Sequence, residues 1–365
     1  MKLLVLIENL QKHLPLLYRG VSTRSQLPVL LNILLVAKNG KFFIKSTDLE
    51  IGIEAEIPAN IKKEGGTTVP ARKFYDLISS LPHGKITLSL EGKTLEIVGE
   101  KTKSSLQTIS MEEFPALYEE KGAEIINLTT EEFNKNITSV VFAASTDVVR
   151  PALSGVLVKK EGSNVFFVAT DGYRLSLKQY QKETKGEVAL LIPSRIIREL
   201  LSIKETGKIV LYVAKNSNQI ICSYNEINIV GRLIEAEYPN YQKIIPTTHT
   251  TKITFNKDEV EKAVKIASVF AREAANVVKF VVQKNILRVS SSAPSVGENT
   301  VEVEVQLEGE ENQIAFNARY LLDLFGSIHE EQMALEITGP LNPGVFKLPT
   351  DSSFIHLIMP IRAQG

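Results

Sequence analysis

Residues 69–82 read VPARKFYDLISSLP, residues 192–203 read IPSRIIRELLSI, and residues 316–328 read FNARYLLDLFGSI. The second residues of these phrases are Pro70, Pro193 and Asn317, so the same phrase returns after 123 and then 124 residues. Proline in the first turn of a helix sacrifices no hydrogen bond, because that N–H is unpaired there anyway. Asparagine at the same place is a good N-cap. Apolar residues follow at helical spacing: Phe74, Leu77, Ile78 and Leu81 in the first copy, Ile197, Leu200 and Leu201 in the second. One amphipathic helix is therefore expected three times, which makes the chain a threefold repeat.

Working outward, a second helix recurs earlier in each unit. LTTEEFNKNITSVVFAAS (128–145) carries Thr129 and Glu132, and FNKDEVEKAVKIASVFA (255–271) carries Asn256 and Glu259. Both fit an N-cap with Glu three residues on, which satisfies orphan amides. The first counterpart, IENLQKHLPLLY (7–18), is less well capped. Each unit closes on a similar phrase, SMEEFPALYEE, EAEYPNYQKII or FIHLIMPIRAQ, with prolines at 115, 239 and 360. TDLEIGIEAEI from Thr47 matches TDGYRLSLKQY from Thr170, whereas the third copy reads SAPSVGENTVEVEVQ and has lost the Asp. Alternating runs such as KITLSLEGKTLEIVG, joined by short turns (EGK, KEGSN, KNSNQ), outnumber the helices. The expected fold class is α+β, three repeated domains of two helices packed on antiparallel sheets. The expected domains are 1–122, 123–246 and 247–365.

The 365 residues are 44% hydrophobic and 23% charged, enough for sizeable cores. No apolar run is long enough to span a bilayer. The N-terminal MKLLVLIENL meets charge at Glu8 and reads as mature protein. The single cysteine, Cys222, sits in a strand-like context with no histidine near it in sequence, which suits a buried structural thiol in a reducing cytoplasm.

Catalytic motifs are missing. There is no GxxxxGK[ST], GxGxxG, HExxH or CxxC, and the five histidines are scattered. No cofactor or metal is expected. Asp171 in VATDGYRLSLK (168–178) has two readings, a loop-borne catalytic carboxylate or the corner of a hairpin. Asp-Gly between alternating strands favours the corner, because Gly accepts positive φ without strain.

Charge is balanced, 42 basic against 42 acidic residues. A chain that grips nucleic acid by charge must then segregate its cations. Arg72, Lys73, Lys135, Arg195, Arg198, Lys262 and Lys265 all lie on the expected helices. If those helices line one surface, that surface is a basic track suited to phosphate contact.

GVSTRSQLPVLLNILL, STDLEIGIE, VVRPALSGVL, VATDGYRLSL, PSRIIREL, EYPNYQKIIP, FNARYLLDL and the terminal LIMPIR stand in an order and spacing that resemble the bacterial β sliding clamp family over essentially the whole chain. The resemblance implies a non-catalytic, cytoplasmic homodimer, two chains closing head to tail into a six-domain ring around duplex DNA. Its implied partners are a clamp loader, the replicative polymerase and other proteins carrying a clamp-binding peptide. The implied peptide pocket comprises Leu153, Thr170, Gly172, Tyr173, Arg174, Leu175, Pro239, Lys243, Ile244, Leu357, Ile358, Met359, Pro360, Ile361 and Arg362, with Asn317 and Tyr320 nearby. Deleting 357–365 is expected to remove peptide binding and leave the ring intact. Arg24 and Arg150 join the helix cations as implied channel residues, with Pro151 and Ala152 where some members have aromatics. Phe114 and Leu117, with Arg272, Ala275 and Val277, are the implied dimer contacts, although FAREAANVVKFVV (270–282) is shorter than its counterpart and lacks an Ile-Leu pair. The family often has His at Tyr173 and Arg at Lys243. A monomeric peptide-binding scaffold that encloses no DNA is the alternative.

Overall fold

The computed structural model describes residues 1–147, 149–183, 186–215 and 218–362. The KNSNQ turn thus has Asn216 and Ser217 outside the described residues, as are Ala363, Gln364 and Gly365. Six α-helices are described: α1 Ile7–Arg19, α2 Ala71–Ser80, α3 Thr130–Val141, α4 Ser194–Leu201, α5 Lys257–Ala271 and α6 Ala318–Ser327. These are the two helices per repeat that the periodicity predicts. Asn256 caps α5 by accepting from the amides of Asp258 and Glu259, and Asn317 caps α6 by accepting from Arg319. Pro70 sits at the N-cap of α2, one residue before the helix, and α1 has no side-chain cap.

The chain forms two compact units. The first comprises Met1–Glu131 with Arg198–Leu233, and the second Glu132–Ile197 with Ile234–Gly365.

In the first unit, a five-stranded sheet runs in the order Ala59–Lys63, Lys2–Leu6, Lys85–Glu91, Thr94–Val98, Lys103–Gln107. An eight-stranded sheet runs Lys121–Thr129, Lys208–Ala214, Gln219–Tyr224, Ile227–Arg232, Ile51–Ile57, Lys41–Thr47, Asn32–Lys38, Gly65–Pro70. Its central pairing brings Ile51 opposite Gly231 and Ile53 opposite Ile229, antiparallel. Helix α1 buries Ile7, Leu10, Leu14 and Leu17, one stripe at helical spacing. Cys222 is fully buried in this sheet, and burial pushes its thiol pKa up, so it is structural as expected.

In the second unit, a nine-stranded sheet runs Val188–Pro193, Gly155–Glu161, Asn164–Thr170, Arg174–Gln181, Asp351–Ile358, Gly344–Leu348, Gln332–Ile337, Thr251–Asn256, Gln306–Gly309. A four-stranded sheet runs Gly297–Glu304, Ile286–Ala293, Val277–Gln283, Asn312–Asn317. Helix α5 buries Val260, Ala263, Val264, Ala267 and Ala271. A run of aromatic contacts fills the core behind it: Phe255 on Phe325, Phe325 on Phe346, Phe346 on Phe316, and Phe316 on Phe280. The C-terminal strand Asp351–Ile358 is no edge strand. It lies inside the sheet, with Leu175 and Val345 flanking Leu357.

Candidate partner-binding site

The corner at Thr170–Arg174 is held by four local hydrogen bonds. Thr170 Oγ1 donates to the Arg174 carbonyl at 2.6 Å and accepts from Gly172 N at 3.0 Å. Asp171 Oδ1 accepts from Tyr173 N at 2.9 Å and Arg174 N at 3.0 Å. Gly172 has φ +91°, the region glycine enters without a Cβ penalty. The first repeat builds the same corner. Thr47 Oγ1 donates to the Ile51 carbonyl and accepts from Leu49 N, while Asp48 Oδ1 accepts from Glu50 N and Ile51 N. Asp171 is a turn residue, as the hairpin reading predicts.

What the second corner adds is Arg174. Its side chain is only 9% exposed, and Nε donates to Asp171 Oδ2 at 3.0 Å. Nη1 donates to Asp323 Oδ2 at 2.6 Å and Nη2 to the Phe142 carbonyl at 3.0 Å. The guanidinium lies 4.6 Å from the Tyr320 ring centre and 5.6 Å from that of Phe142. Arg174 is thus an internal strut and not a free rim charge. Burial, then the Asp171 charge, raises the Tyr320 hydroxyl pKa, so the phenol stays neutral.

Above this strut lie exposed apolar groups. Tyr173 is 60% exposed and Met359 42%. They are neighbours through a backbone bond, Met359 N to Tyr173 O at 2.8 Å, which continues the pairing of Arg174 with Ile358. Leu153, Thr170, Leu175, Leu357 and Ile358 nearby are buried. Leu175 and Leu357 pack with Val168, Tyr241 and Val345 in one apolar cluster. Tyr241 anchors the short helix Tyr241–Ile244, leaving Lys243 and Ile244 exposed at its end, just after exposed Pro239. A methyl group at Gly172 would stand 3.7 Å from Leu153, which places those two together. Ile361 N donates to the Ala315 carbonyl at 2.8 Å. Ile361 and Arg362 then border a groove of about 520 Å³ with Lys279, Gln313, Pro340 and Leu341.

The site is therefore an anchored strand end with two exposed apolar side chains beside buried, packed residues. Sequence reasoning missed Asp323 and Phe142, which fix the strut. Asp323 lies three residues after Tyr320 on α6, the spacing that faces the same side of a helix.

Behind the strut sits His356. Its Nδ1 is 2.6 Å from Ser176 Oγ, its ring is fully buried, and Nε2 has no hydrogen-bond partner among the described residues. Phe142 lies 5.2 Å from the ring centre. Burial first, then the Arg174 charge, pushes its pKa well down, so the imidazole is neutral.

Family models match the chain in three consecutive stretches, each described as a domain of the DNA polymerase III beta subunit. The N-terminal domain matches 1–118, the central domain 127–240 and the C-terminal domain 242–362. The beta sliding clamp of Staphylococcus epidermidis is 30% identical over 359 residues, covering 94% of each chain. The chain belongs to the beta sliding clamp family. The solved sliding clamp of Bacillus subtilis superposes with a TM-score of 0.94 at 26% identity, covering 100% of this chain and 99% of that one. The sliding clamp of Bartonella birtlesii, solved bound to griselimycin, gives 0.93 at 26% identity over 100% of both chains.

For this clamp-family chain the expected DNA-facing cations distribute as follows. Arg24, Arg72, Lys73, Lys135, Arg150, Arg198, Lys262 and Lys265 are exposed, and Arg195 is half-buried. Arg72 lies 3.8 Å from Asp76, and Lys265 2.5 Å from Glu261, each pair one helical turn apart.

Of the expected dimer contacts, two are covered within the single chain. Phe114 and Leu117 are each only 7% exposed and pack against Val29, Leu30 and Leu34 of their own chain. Leu117 also covers Gly52. They pack into an apolar cluster of the first unit and keep little surface of their own. Arg272 and Ala275 are exposed and Val277 half-buried, in a tight turn with φ +52° at Ala275 and +58° at Asn276.

No group of residues suited to hold a metal occurs among the described residues. No described helix is long and apolar enough to cross a membrane.

Proposed function

We propose that the chain works as a DNA sliding clamp. Two copies close head to tail around duplex DNA, and the Tyr173–Met359 site holds peptides of the replicative polymerase, the clamp loader and other clamp-binding proteins. The three domains are taken as 1–122, 123–246 and 247–365, the protein as cytoplasmic, and its role as tethering without catalysis.

One observation carries ring closure. Twice within the chain, the strand after a repeat's corner pairs antiparallel with the last strand of the next repeat. Ile51–Ile57 pairs with Ile227–Arg232, and Arg174–Gln181 with Asp351–Ile358. The third strand of the first kind, Gly297–Glu304, ends its sheet, and so does the unused strand of the second kind, Lys103–Gln107. Open edges carry unpaired N–H and C=O groups that template pairing with another chain. Pairing of these two unlike edges is head to tail, and it gives a ring where the rotation closes; in a ring of two copies no edge is left over.

The exposed helix cations support sequence-blind contact with phosphates. A clamp that slides makes no bidentate contact with base edges, because each would pin it by about 1–3 kcal/mol. Retention then comes from topology.

The test is retention on nicked circular DNA followed by linearisation. A clamp stays on the circle and runs off the ends, and it sediments at twice the 40.5 kDa of one chain. Equal retention on circle and line, or a single-chain mass at micromolar concentration, would sink the reading.

A further inference from the structure

The seventh residue of α1, α3 and α5 differs in kind: His13, Asn136 and Ala263. His13 is 8% exposed, and its Nδ1 lies 2.8 Å from the Asn9 carbonyl, one helical turn back. A carbonyl only accepts, so Nδ1 carries the hydrogen and Nε2 is the acceptor of the uncharged ring. Asn136 is 3% exposed and donates from Nδ2 to the Glu132 carbonyl at 2.7 Å, which leaves Oδ1 as its acceptor. Neither acceptor has a partner among the described residues. Ala263, by contrast, packs into the apolar core of the second unit. A buried acceptor is unfavourable unless something donates to it.

Each acceptor borders a space beside its helix. For Asn136 it is a cleft shared with Gln179, Glu330 and Ser353. For His13 it is a cavity of about 190 Å³, walled on its far side by residues 202–205 and 224–227 of the same unit. Pro15, Leu16, Ile203 and Ile227 make that cavity apolar along its sides. A space of about 150 Å³ accepts a benzene ring, so this one takes a single ring with a short side chain. Two of the cations around it are committed: Lys12 pairs with Glu205 at 3.2 Å and Arg19 with Glu199 at 3.1 Å. Lys204 and Glu226 also line it, are exposed, and have no ion-pair partner among the described residues.

We propose that this cavity binds a free aromatic amino acid with a ring hydroxyl, of the tyrosine class. The ring lies along the apolar sides and its hydroxyl donates to His13 Nε2. Lys204 meets the carboxylate and Glu226 the ammonium group. Apolar walls with a few placed polar groups are the usual make-up of a small-molecule site. A simple acid would face Glu226 and a simple amine Lys204, so the zwitterion is the species that suits both. All of these groups belong to one unit of one chain, and the inference stands apart from the ring reading above.

The test is a titration of the full chain with L-tyrosine, followed by saturation-transfer NMR of the ring protons. L-Phenylalanine lacks the hydroxyl and tyramine lacks the carboxylate. Each should bind at least about fivefold more weakly than tyrosine, the worth of one polar contact. His13→Leu should bring tyrosine down to the affinity of phenylalanine, and Lys204→Ala should bring it down to that of tyramine. Lys204 is exposed, so its variant folds whatever the His13 substitution does to the core of its helix. No transfer to tyrosine at millimolar concentration overturns the proposal. Equal binding of tyrosine, phenylalanine and tyramine overturns it too, and so does a tyrosine affinity that neither substitution changes.

Discussion

Arg174 Nη1 and Asp323 Oδ2 lie 2.6 Å apart, and this bond ties the hairpin corner to α6. The two partners are not equivalent. The Arg174 side chain is 9% exposed and bonded on three sides, whereas Asp323 is half in water. Arg174→Met should cost about 3 kcal/mol, because it strands the Asp171 carboxylate, itself only 13% exposed, and removes the guanidinium from between Tyr320 and Phe142. Asp323→Asn should cost under about 1 kcal/mol, as solvent screens that end. Urea unfolding of both variants reads the asymmetry. Equal costs would mean the strut is a surface ion pair.

The third residue of the two corners differs in kind. Leu49 adopts φ +76° where the second corner has Gly172 at +91°. A bulky side chain in the left-handed region is strained by about 1–2 kcal/mol, and Leu49 is largely exposed, so it returns little through burial. Leu49→Gly should therefore stabilise the chain by about 0.5–1 kcal/mol after the extra backbone entropy of glycine is set against the relief. Gly172→Ala should cost about 1 kcal/mol, although space for the Cβ exists. Opposite signs in thermal melts are the expected outcome.

His356 makes stability depend on pH. The fold holds its imidazole neutral, so below about 6.5 the unfolded chain takes up a proton that the folded chain does not. Its contribution is complete above that pH and is lost as pH falls through the unfolded pKa toward the depressed folded one. The slope is up to about 1.4 kcal/mol per pH unit. His356→Gln keeps a polar partner for Ser176 and cannot charge. Between about pH 7.5 and pH 5.5 the wild type should lose more of its urea midpoint than the variant. Parallel curves would assign the acid sensitivity elsewhere.

The repeat, the helices and the corner were legible because each rests on local chemistry that recurs: Pro or Asn before a helix, Thr-Asp at a turn. For the proposed partner site, the sequence names Tyr173 and Met359 only through the resemblance, and the role of Arg174 depended on Asp323 and Phe142, which are distant in sequence. Phe114 and Leu117 misled for a related reason. An apolar pair in EEFPALYEE reads alike whether it faces a partner or folds back onto Val29 and Leu30, and only tertiary packing decides.

Removing residues 357–365 is the wrong probe of the peptide site. Leu357 and Ile358 are buried, and their strand lies between Arg174–Gln181 and Gly344–Leu348 inside the nine-stranded sheet. Truncation there should unfold the second unit, because two buried aliphatic side chains alone are worth about 3–6 kcal/mol. Met359→Ala is the sharper probe. Its side chain is exposed, and its backbone bond to Tyr173 survives the change. A clamp-binding peptide titrated by fluorescence should lose about tenfold in affinity, with Tyr173→Ala giving a similar loss and neither variant shifting the melt. Undiminished affinity in both variants would move the peptide off this strand end, with the groove beside Ile361 and Arg362 as the next place to look.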